Sequence, residues 1–359
     1  MTGVYLGLGS LVAGNGGIGR VSRLTARVVA DEVAAGRLPR ASACLLHDDT
    51  NHAPGALTTH LCRNSKIAFA LQSCLGKLTH THAVYDFVGL ANAHALLPLT
   101  SRPYLAWIHG IEVWPPWTRS KYIRAARRAH CLVSNSAYTR ERAGEAHPFF
   151  RSAVVCWLGT EEDHPAPTTV PTGPPRVTII GRLSEDYKGH AELIDAWPAV
   201  RAAVPGAVLT VIGRGPALEQ FRQQATGRGL PADAVEFRGF VPEADMTAVW
   251  ESTHVFAMPS RGEGFGLVYV EAMRQGRPVV GSVHDAAVEV NVDGQTGYNV
   301  NLDRPGELAE RLVHLLRNPD DCRRLGEQGR ERWETHFRYS AFRERFVPIL
   351  RRFLDGEHS

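Results

Sequence analysis

Glu263 and Glu271 stand eight residues apart in Ser260-Arg-Gly-Glu-Gly-Phe-Gly-Leu-Val-Tyr-Val-Glu271, a segment that follows a strand-like run and opens a helix-like one. Glu263 precedes the expected helix, and Glu271 lies about a turn within it. A carboxylate outside a helix can accept hydrogen bonds from sugar hydroxyls, and one inside it can clasp a ribose. Gly264 and Gly266 leave the amides at the helix start open to an anion or a hydroxyl. Read alone, the pair also fits an acid at a helix start followed by an ordinary helix glutamate. Arg182 and Lys188 form a second candidate, in the stretch Gly181-Arg-Leu-Ser-Glu-Asp-Tyr-Lys-Gly189. Two cations on a strand-to-helix loop suit a diphosphate, arginine as a fork and lysine as a point charge. Two solvated surface cations would look the same. The third candidate is Gly14-Asn-Gly-Gly-Ile-Gly19, a literal GxGxxG between a strand and a helix. It reads as a dinucleotide site, as an anion-facing loop of another enzyme, or as plain turn glycines. A dinucleotide fold wants an acid about 20 residues further on, whereas Asp48 lies 29 residues past Gly19.

These loops need strands to end on and helices to begin. Short apolar runs predict strands at Gly3–Leu8, Ala41–Leu46, Tyr104–Ile108 and Cys131–Ser134, with helices at Ile18–Ala35 and Arg119–Ala129. Pro-Ala-Pro-Thr-Thr-Val-Pro-Thr-Gly-Pro-Pro, residues 165–175, has five prolines and no charge, and so predicts an extended connector. Beyond it, strands are expected at Val177–Ile180, Val208–Ile212, Val235–Phe237, Val255–Met258 and Pro278–Gly281, with helical segments between most of them. Apolar runs without strict alternation suit strands buried on both faces, and the βαβα rhythm demands a parallel sheet covered on each side. Residues 320–354 return to a helical period, with Phe337, Phe342, Phe346 and Leu350 spaced for packing.

At 359 residues the chain is long enough for two domains of roughly 150 residues each. Its 44% hydrophobic and 21% charged residues exclude disorder, collagen and coiled coil. No run of 18 uncharged apolar residues occurs, which argues against a spanning helix, and the glycine-broken start is a poor signal peptide. Six cysteines without a CxxC read as thiols of a reducing compartment, neither a disulfide frame nor a zinc site. Residues 1–165 carry 17 Lys and Arg against 11 Asp and Glu, and the remainder carries 23 against 26. The basic first half hints at an anionic partner and is far too weak for nucleic acid.

Taken together in order, GRLSEDYKG, VIGRGP, FRGFVP, MPSRGEGFGLVYVEAMRQGRPVV and DGQTG resemble the retaining glycosyltransferases of family 4. The spacing Glu263 to Glu271 is the strongest element. The match covers about residues 177–300, and WETHFRYSAFRERF is similar to that family's C-terminal helices. In the first half only Gly16–Arg20 and Trp107-Ile-His109-Gly match well. The resemblance implies an α/β chain of the GT-B fold: two Rossmann-like doubly wound domains facing an interdomain cleft, with a C-terminal helix returning to the N-terminal domain. The expected division is an acceptor-binding domain over 1–164, a linker over 165–175, a nucleotide-sugar-binding domain over 176–336 and the returning helix over 337–359. It also implies roles. Arg182 and Lys188 would bind the donor diphosphate, amides around Gly266, Leu267 and Val268 the sugar or phosphate, Glu263 the sugar hydroxyls and Glu271 the ribose. The stretch Arg238–Val241 would present backbone groups to the base. Gly16 and Gly17 would approach the phosphate, and His109 would reach the sugar. The sequence departs from the family at Gly281-Ser-Val-His-Asp-Ala-Ala-Val-Glu289, where members often show a glycine pair, and Glu289 receives no site role.

Breaking a nucleotide–sugar bond requires neutralising the diphosphate, by a metal or by fixed cations and dipoles. No Asp-x-Asp occurs in the chain. The expectation is therefore a cytoplasmic, metal-independent enzyme with no resident cofactor, moving a hexose from a UDP- or GDP-linked donor to a glycan or lipid-linked acceptor with retention of configuration. Lys121, Arg124 and Arg128 share a face of the 119–128 helix, with Trp114 and Trp117 just before it. That face reads either as solvated or as a contact with anionic lipid on the inner side of a membrane. The rival readings are a sugar-nucleotide epimerase or phosphorylase of the same fold, a nicotinamide-dependent oxidoreductase using Gly14–Gly19, and a non-catalytic sugar-nucleotide binder.

Overall fold

The structure, a computed structural model, describes residues 3–12, 16–96, 102–115, 119–167, 170–184 and 186–357. The chain divides into two compact units, Met1–Glu161 with Tyr339–Ser359, and Glu162–Arg338. The break falls just ahead of the proline-rich stretch, which belongs with the second unit. Phe337 also stays with the second unit, where its ring meets that of Phe265 at 6.1 Å.

The first unit begins with β1 (Gly3–Leu8), α1 (Gly16–Ala34), β2 (Arg40–Leu45), β3 (Thr58–Leu61), α2 (Lys66–Thr79) and β4 (His82–Tyr85). It continues with α3 (Val88–Leu96), β5 (Tyr104–Ile108), α4 (Ser120–Arg128), β6 (Cys131–Ser134), α5 (Ala137–Ala146) and β7 (Val154–Val155). Its seven strands pair in the order β3-β2-β1-β4-β5-β6-β7, all parallel. β1, β5 and β6 are buried along their whole length, because helices cover both faces of the sheet. The order reverses between β1 and β4. A parallel crossover is right-handed, so α1 lies on one face of the sheet and α2, α3 and α4 on the other.

The second unit contains β8 (Arg176–Ile180), α6 (His190–Ala203), β9 (Val208–Ile212), α7 (Leu218–Gly227), β10 (Val235–Gly239), α8 (Met246–Ser252) and β11 (Val255–Ala257). It ends with α9 (Leu267–Arg274), β12 (Val279–Ser282), α10 (Ala287–Val290), β13 (Gly297–Val300), α11 (Glu307–Arg317) and α12 (Pro319–His336). The strand order is β10-β9-β8-β11-β12-β13, again all parallel and reversing between β8 and β11. In an open sheet of this kind the crevice beyond the strand ends at the reversal is where ligands bind.

The last helix, α13 (Tyr339–Leu354), belongs to the first unit. Phe342 and Phe346 lie against Trp107 of β5, with ring centroids 6.2 and 5.4 Å away. Charge fixes its register. Arg343 and Arg351 reach the buried carboxylate of Glu32 on α1 at 2.6 and 3.2 Å, and Arg37 adds a third cation at 2.8 Å. The guanidinium of Arg37 above all holds the Glu32 carboxyl down at about 2, against the opposing effect of burial. A carboxylate depressed in the folded state stabilises the fold above its ordinary titration range and loses that contribution as pH falls toward its folded value. Glu32→Gln should therefore cost about 1–3 kcal/mol at neutral pH, the usual worth of hydrogen bonds to a charged group. Denaturant unfolding of both proteins between pH 7 and pH 2.5 should show the difference shrinking below about pH 4.5. A gap that stays constant over that range would contradict the assignment.

Candidate functional site

In the second unit the chain leaves β8 through Gly181 and Arg182, turns through a short 3₁₀ segment ending at Lys188, and enters α6 at Gly189. Gly189 has φ +88° and closes against the next loop. A Cβ there would sit 2.5 Å from the Pro259 carbonyl oxygen, so the two loops approach only because no side chain intervenes. The Lys188 stem runs over Gly181, where a Cβ would meet its Cδ at 3.0 Å. Its ammonium donates to Glu263 Oε2 at 2.7 Å, and both side chains are mostly buried. Two of the expected site residues thus form one ion pair at the reversal of strand order. Arg182 is exposed beside them.

Glu263 is presented by the loop that follows β11. Gly266, at φ +87°, caps α9; a Cβ there would run into the Tyr269 ring at 2.2 Å. Leu267 and Val268 supply the first turn of α9, where backbone amides have no intrahelical acceptor and the dipole is positive. Glu271 is half-buried one turn further along the same helix. The lysine–glutamate pair and the cap therefore belong to adjacent loops at one end of the sheet, and Glu271 to the helix that the second loop opens.

One buried residue outside the expected set orders this loop. Asp285 is 1% exposed. Its Oδ2 accepts from Ser260 Oγ at 2.6 Å and from the Glu263 amide at 2.9 Å, and its Oδ1 accepts from the Ala287 amide at 2.9 Å. Burial pushes its carboxyl up to about 6, with the hydrogen bonds from Ser260, Ala287 and Glu263 pulling the other way. It ties the loop after β11 to the loop after β12, and Ala286 N returns a bond to the Glu263 carbonyl at 3.2 Å. Asp285 falls in the stretch where the sequence departs from the family pattern, and its only local signal is an aspartate two residues before a short helix. His190, at the start of α6, is also buried; desolvation first and Lys188 second bring its ring down to about 4.

Along Arg238–Val241 the Arg238 side chain pairs with Glu236 at 2.9 Å, and the Gly239 carbonyl accepts from the Gly213 amide at 2.8 Å. Two groups of the Arg238–Val241 stretch are thus engaged within the sheet. Val241 is half-buried past its edge. Arg214 lies 5.0 Å over the exposed Phe240 ring and makes a flat cationic platform there.

In the first unit Gly16 and Gly17 are the exposed first residues of α1, while Gly14 and Asn15 lie outside the described residues. His109 follows β5. Its Nε2–H donates to the Asp86 carbonyl at 2.6 Å, since a carbonyl can only accept, and the ring lies nearly parallel to Trp107. The Asp86 side chain, fully buried and raised to about 6 by desolvation, accepts from Gly9 N at 2.7 Å and from Ser22 Oγ of α1. Asp86 therefore links His109 to the helix that begins at Gly16. Asp48 accepts from Leu11 N at 2.7 Å and from Ser10 Oγ. Being 2% exposed, it braces the loop after β1 and is not presented to a ribose. Sequence reasoning missed the bracing role of both acids, because each depends on a partner more than 30 residues away. Trp114 is fully buried, with Arg142 over its ring, while Lys121, Arg124, Arg127 and Arg128 are exposed; Trp117 lies outside the described residues. Among the described residues no three His, Cys, Asp or Glu side chains gather as a metal site would need.

Residues 174–318 match the family model described as Glycosyl transferases group 1. The chain is 30% identical over 267 residues to a GDP-mannose-dependent alpha-(1-6)-phosphatidylinositol monomannoside mannosyltransferase of Mycobacterium tuberculosis, covering 69% of each protein. It is 41% identical over 143 residues to a phosphatidyl-myo-inositol mannosyltransferase of Mycobacterium leprae, 40% of this chain and 37% of that one. Among solved structures it resembles Anabaena HepE in complex with UDP and glucose, with a TM-score of 0.77 and 19% identity over 98% of this chain and 99% of that one. At that identity the likeness is one of fold.

Asp285→Asn tests the brace without changing its size. An amide offers only one acceptor oxygen, so either the Glu263 or the Ala287 N–H must face an NH2 group. The expected outcome is a loss of about 1–3 kcal/mol in stability and a shift in the backbone amide resonances of the Glu263 loop. Unchanged resonances and melting temperature would show that the carboxylate does not hold this loop.

Proposed function

Because the chain belongs to the family 4 glycosyltransferases and has the GT-B fold, we propose that it moves a mannosyl group from GDP-mannose to a lipid-linked acceptor of the phosphatidylinositol class, with retention of configuration and without a metal ion. The observation that carries the donor half is the Lys188–Glu263 pair beside the start of α9, at the strand-order reversal of the second unit. A cation, a sugar-binding acid and a helix N-terminus then converge where a diphosphate sugar would need all three. Support for mannose and for the acceptor class comes from the names of the mycobacterial relatives.

On this reading the diphosphate takes the place of Glu263 on the Lys188 ammonium, with Arg182 alongside and the amides of Gly266, Leu267 and Val268 beneath. Glu263, released from the lysine, accepts hydrogen bonds from sugar hydroxyls. Glu271 holds the ribose. The Arg214–Phe240 platform lies toward the base. The acceptor hydroxyl attacks the anomeric carbon on the face from which the diphosphate departs, the bond from that carbon to the phosphate oxygen breaks, and the hydroxyl proton passes to the leaving phosphate. Fixed cations and peptide dipoles, already oriented in the fold, stabilise the charge that develops on GDP. No protein nucleophile takes part. His109, with its Nε2–H committed to the Asp86 carbonyl, offers Nδ1 as an acceptor when the ring is neutral, and it serves a sugar hydroxyl. Among the described residues no helix is long and apolar enough to cross a membrane. The chain meets its lipid acceptor peripherally, at the inner face, and the exposed cations of α4 contact anionic headgroups there.

A melting-temperature panel of nucleotides and sugar nucleotides is the direct test, since a ligand bound only by the folded state raises that temperature. GDP-mannose should give the largest rise. Lys188→Ala should weaken donor binding about ten-fold or more, a loss of about 1.4 kcal/mol. Glu263→Gln should lower kcat by about a hundred-fold while changing donor affinity much less. Turnover should be unaffected by chelator. A chain stabilised by no sugar nucleotide, or a Lys188→Ala enzyme of normal affinity, would overturn the donor site.

A further inference from the structure

Two thiols meet in the core of the first unit. Cys44 on β2 and Cys62, the residue after β3, have their sulfurs 3.2 Å apart, and both are buried. The register explains the meeting. Cys44 stands opposite His60, and side chains two positions apart on a strand share a face, so Cys62 comes to lie diagonally beside Cys44. Among the described residues no other two cysteine sulfurs touch. Phe69 of α2 and Tyr5 of β1 belong to the same buried cluster as the pair. α2 turns Leu71, Leu75 and Leu78 outward and Ser73 and Lys77 inward. Ser73 Oγ shares a hydrogen bond with Tyr5 Oη at 3.2 Å, and the Lys77 ammonium donates to the His94 carbonyl of α3, which fixes the rotation of the helix over the sulfurs. Burial first, and the Cys62 sulfur second, hold the Cys44 thiol well above its ordinary range, so that it rests protonated.

The turn that follows holds Cys62 in place. Arg63 and Asn64 have φ +48° and +65°, and among the described residues they are the only non-glycines with a left-handed backbone. Three hydrogen bonds keep them there. Cys62 N donates to the Leu45 carbonyl at 2.8 Å, Asn64 N donates to the Leu46 carbonyl at 2.7 Å, and Asn64 Oδ1 meets His47 Nδ1 at 2.8 Å. Residues 63–66 are exposed, so a local opening of this turn alone brings a small oxidant to the Cys62 sulfur. A disulfide places its sulfurs about 2.0 Å apart, roughly 1.2 Å closer than these two now stand. The ring closed by such a bond would span 18 positions. It would enclose His47 and Asp48, the acid that braces the loop ahead of α1.

We propose that Cys44 and Cys62 are an oxidation site of this chain, closing to a disulfide that ties the end of β3 to β2 and fixes the segment carrying Asp48. Hydrogen peroxide is the co-reactant. Its O–O bond breaks as the Cys62 sulfur takes up one oxygen to become a sulfenic acid, and one water leaves. The Cys44 sulfur then attacks that sulfur, the S–S bond forms, and the S–O bond breaks with release of a second water. The two thiols give up two electrons and two protons, and one peroxide becomes two waters. None of this depends on the transferase reading. In the test, the full reduced chain is treated with hydrogen peroxide, denatured in a thiol-alkylating reagent and digested without reductant. Wild type should lose the alkylatable thiols of Cys44 and Cys62 together and yield a peptide pair joined through them, and dithiothreitol should restore both. Cys44→Ala should leave Cys62 as a sulfenic acid that dimedone traps. The oxidised wild type should melt about 5 °C higher than the reduced chain, while Cys62→Ala treated alike shows no rise. A wild-type chain in which both thiols remain alkylatable would overturn the proposal. So would a bridge from either residue to Cys74, Cys131, Cys156 or Cys322, or one that links two chains. The mapping is made on the wild-type chain and so does not rest on how well a variant folds.

Discussion

A single buried carboxylate orders the loop that carries Glu263. Asp285 takes hydrogen bonds from Ser260, Glu263 and Ala287, and so welds together the loops that leave β11 and β12. It fixes the Glu263 amide at 2.9 Å, and the same residue's side chain meets Lys188 at 2.7 Å. The fold bears a cost for this. Burying the carboxyl lifts it to about 6, so part of what its hydrogen bonds contribute is offset by the charge they must keep out of water.

The first unit uses the same device twice. Asp48 and Asp86 stand beyond the ends of β2 and β4, both buried, and both accept from the segment that links β1 to α1. Parallel sheets leave their strand ends with peptide groups that no neighbour satisfies, and a short acid from the adjacent strand is a compact acceptor for them. In each unit the acids therefore gather at the end of the sheet where ligand chemistry is expected. Some of them brace loops, and Glu263 faces a cation that a ligand could claim.

The two faces of the first unit's sheet have been put to different uses. On one, α1 and α13 are joined by the Glu32 cluster and by aromatic packing on Trp107. On the other, α2 is pinned by its polar residues and keeps its leucines outside. That arrangement stabilises the sheet less than a buried leucine stripe would, since each exposed side chain forgoes its transfer energy.

What the sequence determined is whatever depends on near neighbours. β1, β5, β6 and β9 run over the residues expected for them, because an unbroken apolar run between turn residues has few other places to go. The loops carrying Lys188 and Glu263 were legible for the same reason: glycines at fixed offsets mark where the chain must turn. β3 and β13 went unread because their residues are only partly buried at the sheet edges, and β4 because His-Ala-Val-Tyr is too short to declare itself. Tertiary structure alone decided the rest. Asp285, Asp86 and Asp48 look like ordinary loop acids until their distant donors arrive, and the leucines of α2 look like core until Ser73 and Lys77 find Tyr5 and His94. Periodicity says that a helix has two faces. Which one turns inward depends on hydrogen bonds that close only when residues far apart in the chain meet.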